Sequence, residues 1–588
     1  MSCERLNQSS DDSNEVSEFG LEAMTVDRDR YVRLILESTS TKKLVVAGPG
    51  TGKTFLFGQI LRECGGGGLV LTFINNLVED LKRQLSELAD VYTLHAFSNW
   101  LLHCIPIAGL DRSFVYYPHL FTLIAEDLSI LESRQVSESI LKERYERLDS
   151  SDGLIEAALE IGTYYNAVTH WDCVYRVYQH LARHPKDVPR YRILIVDEFQ
   201  DFNRLEVEFI RILADKNPVL IAGDDDQALY ESKNASPQFI RDLAEDQQYD
   251  RFELPYCSRC TEVLVKAVHR VIQEARRRSL LENRIEKPFE CYLPDKWEDS
   301  RIYPTIPDVH CSVNTRQAPY IGRFIAKQIA MIPQEDFTEA RSKGEPTVLV
   351  MGPSHFVESA YRELTNQGID VSLRRSRNPH LDIVEGYRMI AKDGTSRLGW
   401  RIVVHVKKPS SWQESIRQAL IKDKDICDFL PGDFVQRHLE VARYLGQLAQ
   451  GYKLSEESVR LLEEEIGMGA PEVRNKLLLA KRHESGPPEE SPALPDVLCT
   501  TLVGAKGLAC QHAFIVGMNN GHFPRNPSDI TEREVCQLIV GLTRARKQCS
   551  LVSCGYCFGP DRLSRSIFLD WLSPFLEHIQ VDKEYFRR

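Results

Sequence analysis

Ala47-Gly48-Pro49-Gly50-Thr51-Gly52-Lys53-Thr54 restricts the fold more than any other stretch of this chain. It follows the apolar run Leu44-Val45-Val46 and precedes Phe55-Leu56-Phe57-Gly58-Gln59-Ile60-Leu61, which has helical character. A buried strand, a glycine-rich turn and a helix are the parts of a phosphate cradle. Glycines let backbone N–H groups close on phosphate oxygens, and the helix N-terminus adds positive potential. Gly48, Gly50, Thr51 and Gly52 would form the cradle, Lys53 would reach the β- and γ-phosphates, and Thr54 would hold Mg²⁺. Ala47 stands where the motif usually has its first glycine. A glycine-rich surface turn is the plainer alternative, and the strand-to-helix setting of Gly52-Lys53-Thr54 argues against it.

A chain of 588 residues is too long for one hydrophobic core and suggests about three to five domains. Its 43% hydrophobic and 27% charged content is that of an ordinary soluble protein. No apolar run is long enough to cross a bilayer and the N-terminus resembles no signal peptide, so the expectation is a cytoplasmic protein with no membrane partner. A net charge of −12 leaves no global basic footprint, so contact with nucleic acid would need local patches. Arg276-Arg277-Arg278 and Arg374-Arg375 with Arg377 are candidates, and each reads equally as a solvated surface. The fifteen cysteines are scattered, which argues for reduced thiols. Cys257-x-x-Cys260 and Cys554-x-x-Cys557 each have the spacing of half a zinc site, and together would supply four thiolates.

The short continuous apolar runs Leu69–Phe73, Ile193–Val196 and Val219–Ala222 join Leu44–Val46 as strands of a parallel sheet covered on both faces. Leu77, Leu81, Leu85 and Leu88 recur at helical spacing as a core-facing stripe. From about Trp100 to Arg190 helical patterns replace strands, as in Leu154, Ala157, Ala158, Ile161 and Tyr165. A second α/β region begins near Phe252, with strands at Thr347–Met351, Ala513–Val516 and Leu551-Val552. It is interrupted by a helical stretch in which Leu439, Val441, Leu445 and Leu448 fall near one face. The proline-rich segment Glu484–Pro492 reads as a linker. The expected organisation is a disordered acidic tail (1–20), a first α/β domain (21–98 plus 191–252) with a helical insertion (99–190), and a second (253–389 plus 491–588) with a mainly helical insertion (390–490).

Two strand ends carry chemistry. Ile193–Val196 runs into Asp197-Glu198-Phe199-Gln200-Asp201, at the carboxyl end where parallel sheets bind ligands. Asp197 can hold Mg²⁺ through water, and Glu198 is placed to orient or deprotonate an attacking water. A helix cap is the plain alternative for such carboxylates. The next strand ends in Gly223-Asp224-Asp225-Asp226-Gln227-Ala228-Leu229-Tyr230, where Gln227 can sense a γ-phosphate.

AGPGTGKT (47–54), LTFINNLVEDL (71–81), TLHAF (93–97), VDEFQD (196–201), GDDDQALY (223–230), GAKGL (504–508) and VGLTRAR (540–546) occur in the order and approximate spacing of the UvrD/Rep-like superfamily 1A DNA helicases, which the chain resembles over nearly its whole length outside the tail. The resemblance implies two RecA-like parallel-sheet domains, each interrupted by a mainly helical insertion, with ATP and Mg²⁺ bound between them. It assigns the nucleotide to Lys53 and Thr54, the metal and catalytic carboxylates to Asp197 and Glu198, and γ-phosphate sensing to Gln227. Leu254-Pro255-Tyr256-Cys257-Ser258-Arg259-Cys260 looks like the family's NYRS segment, which makes Arg259, with Arg544, an arginine that stabilises the transferring phosphoryl. Thr72, Asn75, His95 and Thr501 match segments that contact single-stranded DNA, and buried polar turns are their plain alternative.

The chain departs from the family at identifiable places. Ser232, Lys233 and Asn234 replace an aromatic, an arginine and a glycine, so a base-stacking ring is lost at Ser232. Val503 and Ala509 replace a histidine and a glutamate, and Arg28 and Arg30 occupy the region where an adenine-reading glutamine is usual. The resemblance implies an ATP-dependent translocase and helicase of 3′-to-5′ polarity on single-stranded DNA, or on duplex with a single-stranded tail, in DNA repair or phage defence. The departures keep a second reading open, a nucleotide-dependent DNA-sensing regulatory subunit whose partner is a nuclease or another repair or defence protein. A zinc-stabilised interaction module is a third.

Overall fold

The structure, a computed structural model, describes residues 18–73, 75–107, 109–132, 135–230, 233–311, 320–374, 382–485, 494–556 and 561–587. Helix Glu18–Glu37 precedes the first strand, so the last three residues assigned to a disordered tail belong to a helix, and residues 1–17 lie outside the described residues.

Six parallel strands form the first sheet, in the spatial order Ala89–Thr93, Gly68–Thr72, Leu194–Val196, Val219–Gly223, Lys42–Ala47, Asp250–Leu254. Side chains alternate across it, as the two-residue period of a strand requires. Leu44, Val46, Leu69, Leu71, Leu194 and Val196 enter one core, and Val45, Ala47, Val70, Ile193 and Ile195 enter the other. The second sheet has seven parallel strands, in the order Val371–Leu373, Val497–Thr500, Val348–Met351, Cys510–Val516, Ala545–Cys554, Ile306–Cys311, Leu576–Val581. It too separates two cores. The two RecA-like parallel-sheet units are therefore present, each with helical material inserted between strands.

All four edge strands escaped the search for continuous apolar runs. Ala89–Thr93, Asp250–Leu254, Val371–Leu373 and Leu576–Val581 each pair on one side only, so part of each strand meets solvent and its sequence mixes polar with apolar residues. Central strands Ile306–Cys311 and Val497–Thr500 were also unread; the first contains a proline, and the second is only four residues long. Within helix Gly432–Ala449 the buried stripe is His438, Val441, Ala442 and Leu445, whereas Leu439 is 39% exposed and so does not share the face of Val441 and Leu445.

The two insertions pack on each other. One continuous core runs from the first sheet through Phe121, Leu123 and Tyr145 into Trp400, Ile402, Val441 and Leu462. At their seam Arg401, fully buried, donates to Asp127 Oδ1 (2.8 Å) and Glu126 Oε2 (2.7 Å), and Tyr165 donates to Asp127 Oδ2 (2.7 Å). Tyr164 donates to the carbonyl of Lys424 (2.6 Å) and lies under the guanidinium of Arg397. No helix among the described residues is long and apolar enough to cross a membrane.

Candidate nucleotide and nucleic-acid site

Every strand of the first sheet points its carboxyl end the same way, so the turns after Ala47, Val196, Gly223 and Leu254 meet at one rim. The turn after Ala47 depends on glycine at two positions. Gly50 (φ 71°) and Gly52 (φ 91°) adopt left-handed backbone, and a Cβ on Gly50 would lie 2.4 Å from Arg259 Cβ. Helix Lys53–Glu63 follows directly, with its free N–H groups at the cleft.

Gly48, Gly50, Thr51, Gly52, Lys53, Thr54, Asp197, Glu198, Gln227, Arg259 and Arg544 all line one cleft of about 240 Å³. These are all the nucleotide, metal and catalytic residues that the sequence nominated, drawn from three turns of the first unit and two of the second. Lys53 Nζ sits 3.6 Å from Glu198 Oε1 and donates to the carbonyl of Ala47 (3.2 Å). Burial works against the Glu198 charge, yet Lys53 and Lys506 bring its carboxyl down to about 2. Burial, then the charge of Glu198, pushes Asp197 up. Glu198 adopts φ 55°, a strained conformation that turns its carboxylate towards Lys53. Asp197 and Thr54 are oxygen donors at the cleft wall, which is the donor chemistry a hard cation such as Mg²⁺ takes.

Arg544, 3% exposed, donates from Nη2 to Gln227 Oε1 (3.1 Å), from Nη1 to the carbonyl of Leu508 (3.0 Å) and from Nε to that of Val540 (3.0 Å). Burial, then the neighbouring charge of Arg259, lowers it to about 10. Arg259 reaches the carbonyl of Thr543 from Nη1 (3.5 Å).

Lys506 lies in GAKGL, where its spacing assigns it no role. Buried and reaching across from the second unit, it contacts Asp201 and the carbonyl of Gln227, and stands 3.9 Å from Glu198 Oε2. Gln200 was also missed; it donates to Glu198 Oε2 and accepts from the amide of Asp224 (3.0 Å). A lysine between Ala505 and Gly507 carries no local sign of carboxylates some 300 positions away, so spacing alone could not reveal its partners.

Asp224, Asp225 and Asp226 present a buried carboxylate trio of the sort that holds metals. Here Lys287 Nζ contacts all three at 2.8 Å, Arg284 grips Asp226 (2.6 and 2.9 Å) and Arg241 meets Asp225 (3.1 Å). Protein cations thus supply the neutralising charge.

The residues nominated for DNA divide. Thr501, at the end of strand Val497–Thr500, lines a groove of about 520 Å³ with Tyr230, Arg374, Thr500 and Val503, and its hydroxyl accepts from the amide of Gly504 (3.0 Å). Thr72 is fully buried, and its hydroxyl has no hydrogen-bond partner among the described residues. Asn75 opens helix Asn75–Leu85, and its side chain lies outside the described residues, as does Ser232. His95 stands apart beside the first insertion, 3.5 Å from Glu206 Oε1 and edge-on to His170; burial, then His170 and Lys233, lower it to about 3. A feature the sequence reading missed lies next to Thr72: Phe73 and Tyr230 pack with centroids 4.8 Å apart, and Lys233 Nζ lies 5.0 and 5.2 Å from them. Asn234 ties this turn to the insertion through Glu146 (2.7 Å) and Arg147 (2.9 Å).

The cluster Arg276-Arg277-Arg278 is not a bare patch. Arg277 and Arg278 pair with Glu274, and Arg276 with Glu286; Arg375 and Arg377 lie outside the described residues. Cys554 does not join Cys257 and Cys260. Cys257 and Cys260 lie in one core of the second unit and Cys554 in the core on the opposite face of its sheet, while Cys557 lies outside the described residues. Arg28 packs on Tyr292 (4.4 Å) and, with Tyr31, Val32, Phe55 and Tyr256, borders a pocket beside Gly52.

Two parallel α/β sheets, with a glycine-rich phosphate turn in one and two arginines reaching the same cleft from the other, define a two-domain P-loop protein. The AAA domain family matches residues 33–233. The chain is 24% identical to the DNA helicase II of Escherichia coli (strain K12), over 86% of this chain and 82% of that protein. It is 25% identical to the ATP-dependent DNA helicase UvrD2 of Mycobacterium tuberculosis (strain ATCC 25618 / H37Rv), over 62% and 47% respectively. Against the ATP-dependent DNA helicase Rep of Buchnera aphidicola it is 46% identical over 9% of this chain and 8% of that protein. In sequence the chain is thus similar to DNA helicases of the UvrD and Rep type.

Proposed function

We propose that this protein hydrolyses ATP with Mg²⁺ to translocate on single-stranded DNA with 3′-to-5′ polarity and to unwind duplexes, in DNA repair or phage defence. The observation that carries the reading is the single cleft in which Lys53, Asp197, Glu198 and Gln227 of one α/β unit face Arg259 and Arg544 of the other. Lys53 and the turn amides hold the phosphates, and Glu198, kept ionised by two lysines, accepts the proton of an attacking water. Arg259 and Arg544 stabilise charge on the transferring phosphoryl. Mg²⁺, held by Thr54 and Asp197, would neutralise phosphate charge. Since both units grip the nucleotide, its binding and loss change the angle between them, and a strand held in the groove at Thr501 and Tyr230 moves with that angle.

The test is ATP hydrolysis with and without single-stranded DNA, with Glu198→Gln as the control. Strong stimulation that vanishes in the variant supports the motor; hydrolysis indifferent to DNA rejects it. The second reading, a nucleotide-dependent DNA-sensing subunit of a nuclease complex, is favoured by apolar Val503 at the groove and by insertions welded through Arg401. It predicts DNA binding that depends on nucleotide without unwinding in a strand-displacement assay.

A further inference from the structure

Cys257-Ser258-Arg259-Cys260 places a cysteine on each side of an arginine of the ATP cleft. The segment runs from strand Tyr256–Cys257 into helix Glu262–Arg276, whose N-cap position is Thr261, and in the turn between them the N–H of Cys260 donates to Cys257 Sγ at 3.4 Å. A CxxC pair whose first sulfur accepts from the amide of the second has the arrangement of a reactive dithiol. Burial opposes ionisation of Cys257, but the Cys260 thiol, the amides of Cys260 and Arg259, and the Arg259 charge together bring it down to about 6. Cys260, next to that sulfur, is held well up by Cys257 and then by burial. The pair is thus split into a nucleophile and a resolving thiol.

Both sulfurs touch the catalytic frame. The amide of Ser258 donates to the carbonyl of Gly50 (3.0 Å), and Cys257 Sγ lies 3.2 Å from where a Cβ on Gly50 would stand. Cys260 Sγ donates to the carbonyl of Thr543 (3.8 Å), the same oxygen that Arg259 Nη1 contacts (3.5 Å). Ser258 and Arg259 line the cleft, so the thiols sit one layer behind its wall.

The geometry points to a reversible modification site: a peroxide converts Cys257 and Cys260 to a disulfide that withdraws Arg259 from the cleft and slows ATP turnover. The Cys257 thiolate attacks one peroxide oxygen, the O–O bond breaks, and the departing hydroxide takes a proton to become water. The Cys260 sulfur, having released its proton, then attacks Cys257 sulfur; the S–S bond forms, the S–O bond breaks, and a second water leaves. Two thiols lose two electrons to one peroxide. Closing the ring draws Cys260 Sγ off the Thr543 carbonyl onto Cys257 Sγ, and Arg259, lying within the ring, loses its own contact with that carbonyl and its seat at the cleft wall. Cys291, beside Cys257 in the paired strands Tyr256–Cys257 and Glu290–Cys291, gives its own hydrogen bond to the carbonyl of Cys260 (3.4 Å) and serves as a control.

This switch rests on the role given to Arg259 above. The experiment treats the full-length protein with hydrogen peroxide, quenches and alkylates it, maps the Cys257–Cys260 peptide by mass, and measures DNA-stimulated kcat on the same samples. The expected result is a crosslink of these two residues with kcat lowered about tenfold or more, a fraction of what arginine fingers contribute. Dithiothreitol restores it, bound ATP analogue slows crosslinking, Cys291→Ser responds as wild type, and Cys257→Ser and Cys260→Ser show no change relative to their own untreated samples. Absence of the crosslink, or equal loss of kcat in Cys257→Ser, overturns the switch alone. If reduced Arg259→Ala turns over like wild type, the assigned role of Arg259 falls and the switch with it.

Discussion

Arg544 of one α/β unit donates to the side-chain oxygen of Gln227 of the other at 3.1 Å. The pair joins the proposed γ-phosphate sensor to an arginine of the proposed transition-state clamp without any other group between them. Arg544→Ala is therefore expected to retain nucleotide binding and slow hydrolysis by about 10³-fold. Lys53→Ala is expected to lose both, and Glu198→Gln to lose hydrolysis while still binding. Single-turnover hydrolysis alongside equilibrium binding of a fluorescent nucleotide separates the three.

Lys506 is the next target because it bridges Glu198, Asp201 and the Gln227 carbonyl from the opposite side of the cleft. Lys506→Ala leaves a buried carboxylate cluster short of a cation and removes a link between the cleft and the groove. We expect kcat with DNA to fall at least tenfold, with KM for ATP changed far less, because the lysine is not placed on the phosphates. Steady-state kinetics at saturating single-stranded DNA measure the split.

Phe73 and Tyr230 pack ring to ring, and Tyr230 lines the groove with Thr501. Substituting either ring by alanine is expected to weaken single-stranded DNA binding by about 1–3 kcal/mol, with unstimulated ATP turnover preserved. Fluorescence anisotropy at two salt concentrations checks this; unchanged affinity would remove the rings from the DNA path.

At the seam between the insertions, Arg401 is enclosed with Asp127 and Glu126. Arg401→Ala strands a fully buried Asp127 and is expected to destabilise the fold by about 3–5 kcal/mol, whereas Glu126→Gln, on the more open side, costs less. Urea unfolding followed by circular dichroism gives both values.

Acidification acts through His95 and His170. Burial, then nearby positive charge, lowers them from 6.5 to about 3 and about 4; Lys233 faces both, Lys142 faces His170, and Glu206 and Tyr116 complete the surroundings. Folded values depressed below the unfolded value mean that the unfolded chain takes up protons first. Their stabilisation is complete above pH 6.5 and drains as pH falls towards 4, by at most about 1.4 kcal/mol per pH unit for each imidazole. Melting temperatures at pH 7.5 and 5.5 should diverge less in His170→Asn than in wild type.

The P-loop was legible because its chemistry is local: Gly50, Gly52, Lys53 and Thr54 must be adjacent in the chain for one turn and one helix start to cradle phosphate. Asp197, Glu198 and Gln227 were legible for a related reason, as strand ends with carboxylate or amide tips. Central strands such as Val219–Gly223 announced themselves through apolar runs, since neighbours cover both of their faces and edges. Edge strands such as Asp250–Leu254 did not, because solvent tolerates polar residues there. What only the tertiary structure decided is which distant charges meet. Lys506 reaches Glu198, Lys287 takes three aspartates, Arg401 crosses between insertions, and Cys260 shares the Thr543 carbonyl with Arg259. Coulomb and hydrogen-bond energies depend on separation in space, and nothing in the local sequence of a lysine or a thiol records which carboxylate or carbonyl the fold will bring within about 4 Å.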